Sequence, residues 1–145
     1  MLLGTSKTLK TETNASGWSV GAAYQPRVAK VNSDTTYTAR AWISPASHDM
    51  NTQIVWKDSS GNLHYGGGNA ISAGTSGYST WTGTIPAGST IQYVTVVFTE
   101  QQQTASTVTY GEVKLEKGTV AHDWSPAPED LENADSDNKP TDAKD

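Results

Sequence analysis

The chain contains no cysteine, which excludes disulfides, thiolate zinc sites and cysteine nucleophiles. That absence leaves the redox compartment open. Net charge is −5, but seven of the fifteen acidic residues and two of the ten basic ones lie from Glu129 onward. Residues 1–128 are therefore neutral, and the electrostatic footprint of a protein that grips DNA, RNA or anionic lipid is missing. No apolar run approaches the length of a membrane-spanning helix. The first eleven residues, MLLGTSKTLKT, lack a basic segment followed by a long apolar core, so no signal peptide is read there. Amphipathic helix patterns and internal repeats are not found.

Short strands separated by turn residues are what remains. Thr36 to Ile43 alternates most clearly, with Tyr37, Ala39, Ala41 and Ile43 on one face and Thr38, Arg40 and Trp42 on the other. The first set reads as core. Gln53 to Lys57 reads as a strand, Asp58 to Asn62 as a turn, and Leu63 to Tyr65 as the returning strand of a hairpin. Gly66 to Gly77 reads as a loop and Trp81 to Ile85 as a strand. In Ile91 to Thr99, Val94, Val96 and Phe98 are assigned to the core, with Tyr93, Thr95 and Val97 facing away. Glu100 to Ser106 reads as a polar hairpin loop before a closing strand, Thr107 to Glu116. Tyr110 and Val113 both point inward only if a bulge falls at Gly111-Glu112. Near the N-terminus, Gly4 to Gly17 reads as a polar segment, and Tyr24 to Val31 as an irregular edge strand limited by Pro26. Asn14-Ala15-Ser16 matches a glycosylation sequon, to which the missing secretory signal gives little weight.

This pattern predicts an all-β fold, an antiparallel β-sandwich of jelly-roll type, over residues 1–130. Residues 131–145 form an acidic segment without aromatics, expected to be a disordered tail or linker. Trp124, between the last strand and Pro126 and Pro128, is expected to fold back and pin the C-terminus.

The closing VKLEKGTVAHDWSPAPED resembles the end of β-sandwich modules in tail proteins of phages that infect Gram-positive bacteria. Those modules are in turn similar to carbohydrate-binding jelly rolls appended to glycoside hydrolases. The opening LLGTSKT, the central TTYTARAWIS followed by the turn Asp58 to Gly61, and the segment from Trp81 to Gly88 carry the same resemblance. It implies sugar bound on or beside one sheet, a virion location, and a larger tail or baseplate protein containing the module. Relatives in the wider superfamily often carry a structural calcium, for which residues 1–128 show no acidic cluster. Ala39 and Ala41 are smaller than that pattern leads one to expect, so larger side chains from elsewhere must fill the core.

Sugar binding needs flat apolar rings and planar polar groups, and few strong charges. Five Trp and six Tyr against one Phe favour aromatics with a polar handle. Trp42 is the first platform candidate because strand parity turns it away from the core. Arg40, on the same face, holds hydroxyls or stacks on a ring, or else pairs with Glu100 or Asp49. Tyr93 is placed in the same groove, or in a loop contact. Trp18, Tyr65 and Tyr78 are further ligand candidates beside loops. Gln53, Lys57 and Gln101 to Gln103 are sources of hydrogen bonds, although a solvated loop explains the Gln run equally well. Trp56 and Trp81 are assigned to the core.

An enzyme is not expected. His48, His64 and His122 are widely spaced and no metal-ligand pattern surrounds them. Glu112 and Glu116 read as exposed strand positions rather than a catalytic pair. A G-x-S-x-G elbow is lacking, and Gly66 to Gly68 is not followed by Lys-Ser/Thr. The expected function is noncatalytic adsorption to a cell-wall polysaccharide or other glycan of a Gram-positive host, without cofactor, nucleic acid or membrane partner. A structural spacer in the tail and an accessory domain of a cell-wall hydrolase are the alternatives.

Overall fold

The computed structural model describes residues 2–3 and 8–119, without the side chains of 14–16, 21 and 101–105. The expected Trp124 clasp, the boundary near Asp130, the acidic tail, His122, the sequon side chains and those of Gln101 to Gln103 lie outside the described residues.

Six strands run in chain order: β1 (Lys10–Tyr24), β2 (Thr35–Pro45), β3 (Met50–Lys57), β4 (Leu63–Gly67), β5 (Gly77–Ile85) and β6 (Thr90–Lys117). All pairings are antiparallel, in the order β4-β3-β6-β2-β5, with β1 along the other edge of β6. The frame is β6. Its first part pairs with β3 from Thr90 to Phe98, and its last part pairs with β2 from Val108 to Lys117. β1 follows it along both parts, Tyr24 opposite Val94 and Lys10 opposite Tyr110. The sheet thus folds on itself into a β-sandwich. Half-sheet I is β4, β3, the start of β6 and the end of β1. Half-sheet II is β5, β2, the end of β6 and the start of β1.

Three expectations are corrected here. Glu100 to Ser106 is not a hairpin loop: β6 continues through it without reversing, and Ala15 opposite Ser106 and Gly17 opposite Gln102 keep the ladder going. Backbone pairing outweighs the turn-like composition, because Thr and Gln are tolerated where the main chain is hydrogen-bonded. The polar segment from Gly4 to Gly17 likewise gives way to a strand from Lys10. By contrast, Tyr24 to Val31 forms no strand beyond β1's last residue, and makes isolated bridges at Leu2–Pro26 and Lys30–Thr90. Pro26 has no N–H to offer a ladder.

The core lies between the half-sheets. Tyr37, Ala39, Ala41 and Ile43 of β2 are buried, as their alternation predicts. They meet Ile54, Val94, Val96, Phe98, Val113 and Leu115, and these larger side chains fill the space beside the two alanines. Burial of such a set is the main source of stability, about 25 cal/mol per Å² of apolar surface. The expected bulge is present: Arg40 faces Lys114 while Trp42 faces Gly111, one residue more on β6 than on β2. Glu112 sits there at φ 50°, the one described non-glycine residue with positive φ. The extra residue lets both Tyr110 and Val113 point inward, each nearly fully buried.

Trp56 and Trp81 pack against this core from its rim, with ring centroids 5.6 Å apart. A Cβ on Gly66 would lie 2.6 Å from the Trp81 indole, so only glycine leaves room for that ring. Ser79 of β5 joins the half-sheets, accepting from the Thr52 N–H at 2.9 Å and donating to the Asn69 carbonyl at 2.6 Å.

Candidate glycan groove on half-sheet I

Strand parity turns Tyr93, Thr95 and Val97 of β6 away from the core. Register then decides what surrounds them. Val55 stands directly opposite Tyr93 on one side and Tyr65 on the other, so two phenol rings flank it. One step along the ladder, Gln53 lies between Gly67 and Thr95, and Thr95 faces Ala23. A step further, Val97 lies between Asn51 and Ser19. Val55 is only 1% exposed although it points outward, so its neighbours cover it.

These rows form the floor of a groove of ≈ 560 Å³. Tyr65 stands at the β4 edge and Trp18 at the β1 edge. They are 60% and 57% exposed, large rings held in solvent rather than in the core. Gly17 precedes Trp18 at φ 78°, where β1 departs from regular register between Ala15 and Ser19. That irregularity positions an indole at the margin of a strand otherwise rich in small side chains. The volume falls within the roughly 300–1,000 Å³ usual for small-ligand sites.

Among the described residues, the groove's lining carries no Asp, Glu, Lys, Arg or His. The Thr95 hydroxyl donates to the Ala22 carbonyl and is occupied. The Gln53 amide, the Tyr65 and Tyr93 hydroxyls and the Trp18 indole N–H have no hydrogen-bond partner among the described residues. Flat rings with polar tips around an amide floor can stack on the C–H face of a sugar and meet its hydroxyls.

The other candidates fall elsewhere. Trp42, Arg40 and Tyr78 lie on the outer face of half-sheet II, so Tyr93 does not share a groove with Trp42 as expected. The long β6 strand puts Tyr93 in its first part and the partner of Trp42 in its last. On half-sheet II, Trp42 faces Tyr78 across the β2–β5 ladder and is partly buried. The Arg40 guanidinium lies 4.2 Å from the Tyr78 ring centroid. The Tyr78 hydroxyl donates to Glu112 Oε1 at 2.9 Å. Lys114, nearly buried, pairs with Glu116 at 3.3 Å. Neither Glu112 nor Glu116 is therefore the exposed strand position expected, because each carboxylate is turned onto a neighbour. Thr38–Thr82 and Thr36–Thr84 hydroxyl pairs, each 3.0 Å apart, extend the same face. On this side Tyr78, Glu112, Lys114, Glu116 and the threonine pairs engage one another.

Of the groove residues, Trp18, Tyr65, Tyr93 and Gln53 were recognisable from the sequence. Ser19, Ala22 and Ala23 were not, because β1 carries no alternation that announces a strand. Thr95 and Val97 were placed on the right face by parity but offered no chemistry to single them out.

The structural calcium implied by the resemblance needs roughly six to eight oxygen ligands, of which carboxylates are the strongest. No group of three or more His, Asp and Glu gathers among the described residues. The loop carboxylates of Asp34 and Asp49 instead cap the N–H groups of Ala87 and Ala73, each at 2.9 Å. Asp58 accepts from the Ser60 and Asn62 N–H groups and lies 2.7 Å from His64 Nε2. The His64 hydrogen bond, then that of Asn62, holds the Asp58 carboxyl well below the usual range, at about 2.

No family model matches the chain, and no curated protein matches it. Solved structures of similar fold do exist. One is the Clostridium thermocellum N-terminal endo-1,4-β-D-xylanase 10B, comprising CBM22-1 and GH10 modules complexed with xylohexaose. It is 9% identical over 77% of this chain and 28% of that one, with a TM-score of 0.45. This chain thus spans well under a third of that protein. Another is the CBM22-1 xylan-binding domain of Paenibacillus barcinonensis Xyn10C, 10% identical over 83% of this chain and 86% of that one, TM-score 0.45. The xylan and the xylohexaose belong to those proteins.

Proposed function

We propose that this chain is a noncatalytic carbohydrate-binding module whose ligand lies in the half-sheet I groove. The observation that carries this is the set of Trp18, Tyr65, Tyr93 and Gln53 lining one groove, their polar tips unpaired among the described residues. Solvent-facing polar tips beside flat rings can exchange water for the hydroxyls of a ligand. Here the ligand supplies the pairing. Trp18 and Tyr65 stack on sugar faces from the two margins, and Gln53 bonds hydroxyls from the floor.

We place the module in a phage tail or baseplate protein, acting at the surface of a Gram-positive host. The support is the resemblance of the closing VKLEKGTVAHDWSPAPED and its companion segments to such modules. A shallow site of this kind binds weakly alone, and many copies on one particle raise the effective concentration of binding sites. The spacer reading has one observation in its favour: the half-sheet II face, where Arg40, Tyr78 and Glu112 engage one another, suits a packing surface.

Sedimentation of the chain with purified wall fractions from a panel of Gram-positive bacteria tests the binding function. Retention by at least one fraction, lost in Trp18→Ala, is the expected result. Absence of retention by every fraction contradicts it. Immunogold labelling of intact particles with an antibody to the chain tests the location, with label at the tail tip expected and unlabelled particles the contrary result.

A further inference from the structure

We infer that the groove takes an uncharged glycan chain, and that Gln53 is the floor residue that reads its hydroxyls. The inference rests on the sugar-binding reading above and narrows it to one ligand chemistry.

Wall glycopolymers come in two electrostatic kinds: neutral polysaccharides, and chains carrying phosphate or carboxylate groups. An anionic chain entering this groove exchanges water for a lining whose described residues include no cation. Burying such a charge without a partner is strongly unfavourable, and sites that recognise phosphate or carboxylate supply Arg or Lys. Two of the chain's cations are engaged on the other half-sheet. Arg40 lies over Tyr78 on the opposite half-sheet, and Lys114 pairs with Glu116. A second groove, of ≈ 540 Å³, is lined by Lys30 and Lys117, but Glu116 lines it too and it has no Trp. The aromatic margins of the first groove and the two lysines of the second thus line different grooves.

Within this groove Ser19 is already engaged within the protein, Tyr93 presents a ring with one hydroxyl, and Gln53 carries the one amide. Thr95 gives its proton to Ala22. Val55 and Val97 are apolar, and Ala22 and Ala23 carry no side-chain polar atom. Gln53 stands between Gly67 and Thr95, so no side chain from β4 stands directly across from its amide. That amide offers a fixed acceptor and two donors in one plane, a match for neighbouring hydroxyls on a pyranose. It titrates nowhere near neutral pH, so its reading of the ligand is independent of pH.

Calorimetric titration of the whole chain against soluble neutral polysaccharides (a β-glucan, a xylan and a mannan) and anionic ones (polygalacturonate and poly(glycerol phosphate)) tests this, at low and high salt. Expected is binding to at least one neutral chain with affinity unchanged by salt, and none to the anionic pair. Gln53→Ala should weaken the neutral ligand about tenfold, the scale of a lost hydrogen bond to a half-buried group, with an unchanged melting curve. Gln53→Lys should weaken it as well. Binding of an anionic chain that falls with salt and is lost in Trp18→Ala overturns the uncharged class while leaving the groove as the site. Neutral binding that Gln53→Ala leaves intact overturns the role of Gln53. Failure of all five polymers to bind contradicts the sugar-binding reading itself.

Discussion

Trp18 and Tyr65 stand at opposite edges of half-sheet I and line the same groove, 57% and 60% exposed. They come from β1 and β4, strands that never touch in the ladder, and are brought together only because β3 and β6 lie between them. Neither ring supports the core. Their exposure is what a binding margin requires and what folding alone does not.

Trp42 offers the contrasting prediction. It lies on half-sheet II, facing Tyr78 and Gly111. Trp42→Ala should therefore leave glycan affinity within about twofold while lowering stability by roughly 1–3 kcal/mol through lost packing. Denaturant unfolding beside a binding titration checks both. A large loss of affinity at constant stability would move the site to the other face.

How far the sequence reached depended on one strand. Alternation in β2 and the apolar positions of β6 made the core legible, and the requirement that Tyr110 and Val113 both point inward located the bulge. Parity also showed which side chains leave the core. It could not show which half-sheet they leave from, because that depends on whether residues 100–106 reverse the chain. Read as a hairpin, they allow Tyr93 and Trp42 to share a groove. As continuous strand, they set the two on separate surfaces. The ladder to β1 that keeps this stretch extended is a long-range pairing, with no local signal in Gln, Thr and Ser.

Glu112 predicts a measurable backbone effect. At φ 50° a side chain crowds its own carbonyl, and the left-handed region costs L-residues other than glycine roughly 1–2 kcal/mol. Glu112→Gly and Glu112→Ala both remove the bond from Tyr78. The glycine variant should nevertheless be the more stable of the two by about 1 kcal/mol, reversing the usual strand preference. Equal stabilities by chemical denaturation would show that the bulge relaxes.

Gly66 should resist substitution for a different reason. Its missing Cβ leaves space for the Trp81 indole, which is also held against Trp56. Gly66→Ala places a methyl 2.6 Å from that ring, an overpacking expected to cost roughly 1–3 kcal/mol. A melting curve indistinguishable from the parent would mean that Trp81 moves freely.

Both ends of the pH scale should weaken the fold. Asp58 is held at about 2, chiefly by its hydrogen bond to His64. Its contribution is present above the unfolded value of about 3.9 and is lost as pH falls towards the folded one. Asp58→Asn should flatten the acid limb of a stability–pH curve. Burial, then the neighbouring Tyr24 and Glu12, pushes Tyr110 up to about 12. Its contribution is complete below the unfolded value of about 10 and declines as pH rises through the interval above it. Tyr110→Phe should flatten the alkaline limb, and unchanged slopes in either variant would contradict the assignment.

The central claim is that the half-sheet I groove binds glycan through its two exposed rings. The most direct measurement is titration of a bound polysaccharide into the parent chain and into the double variant Trp18→Ala/Tyr65→Ala. Each ring should contribute on the order of 0.5–1.5 kcal/mol, so the double variant should lose about tenfold or more in affinity with its melting temperature unchanged. Full affinity in the double variant would contradict the account.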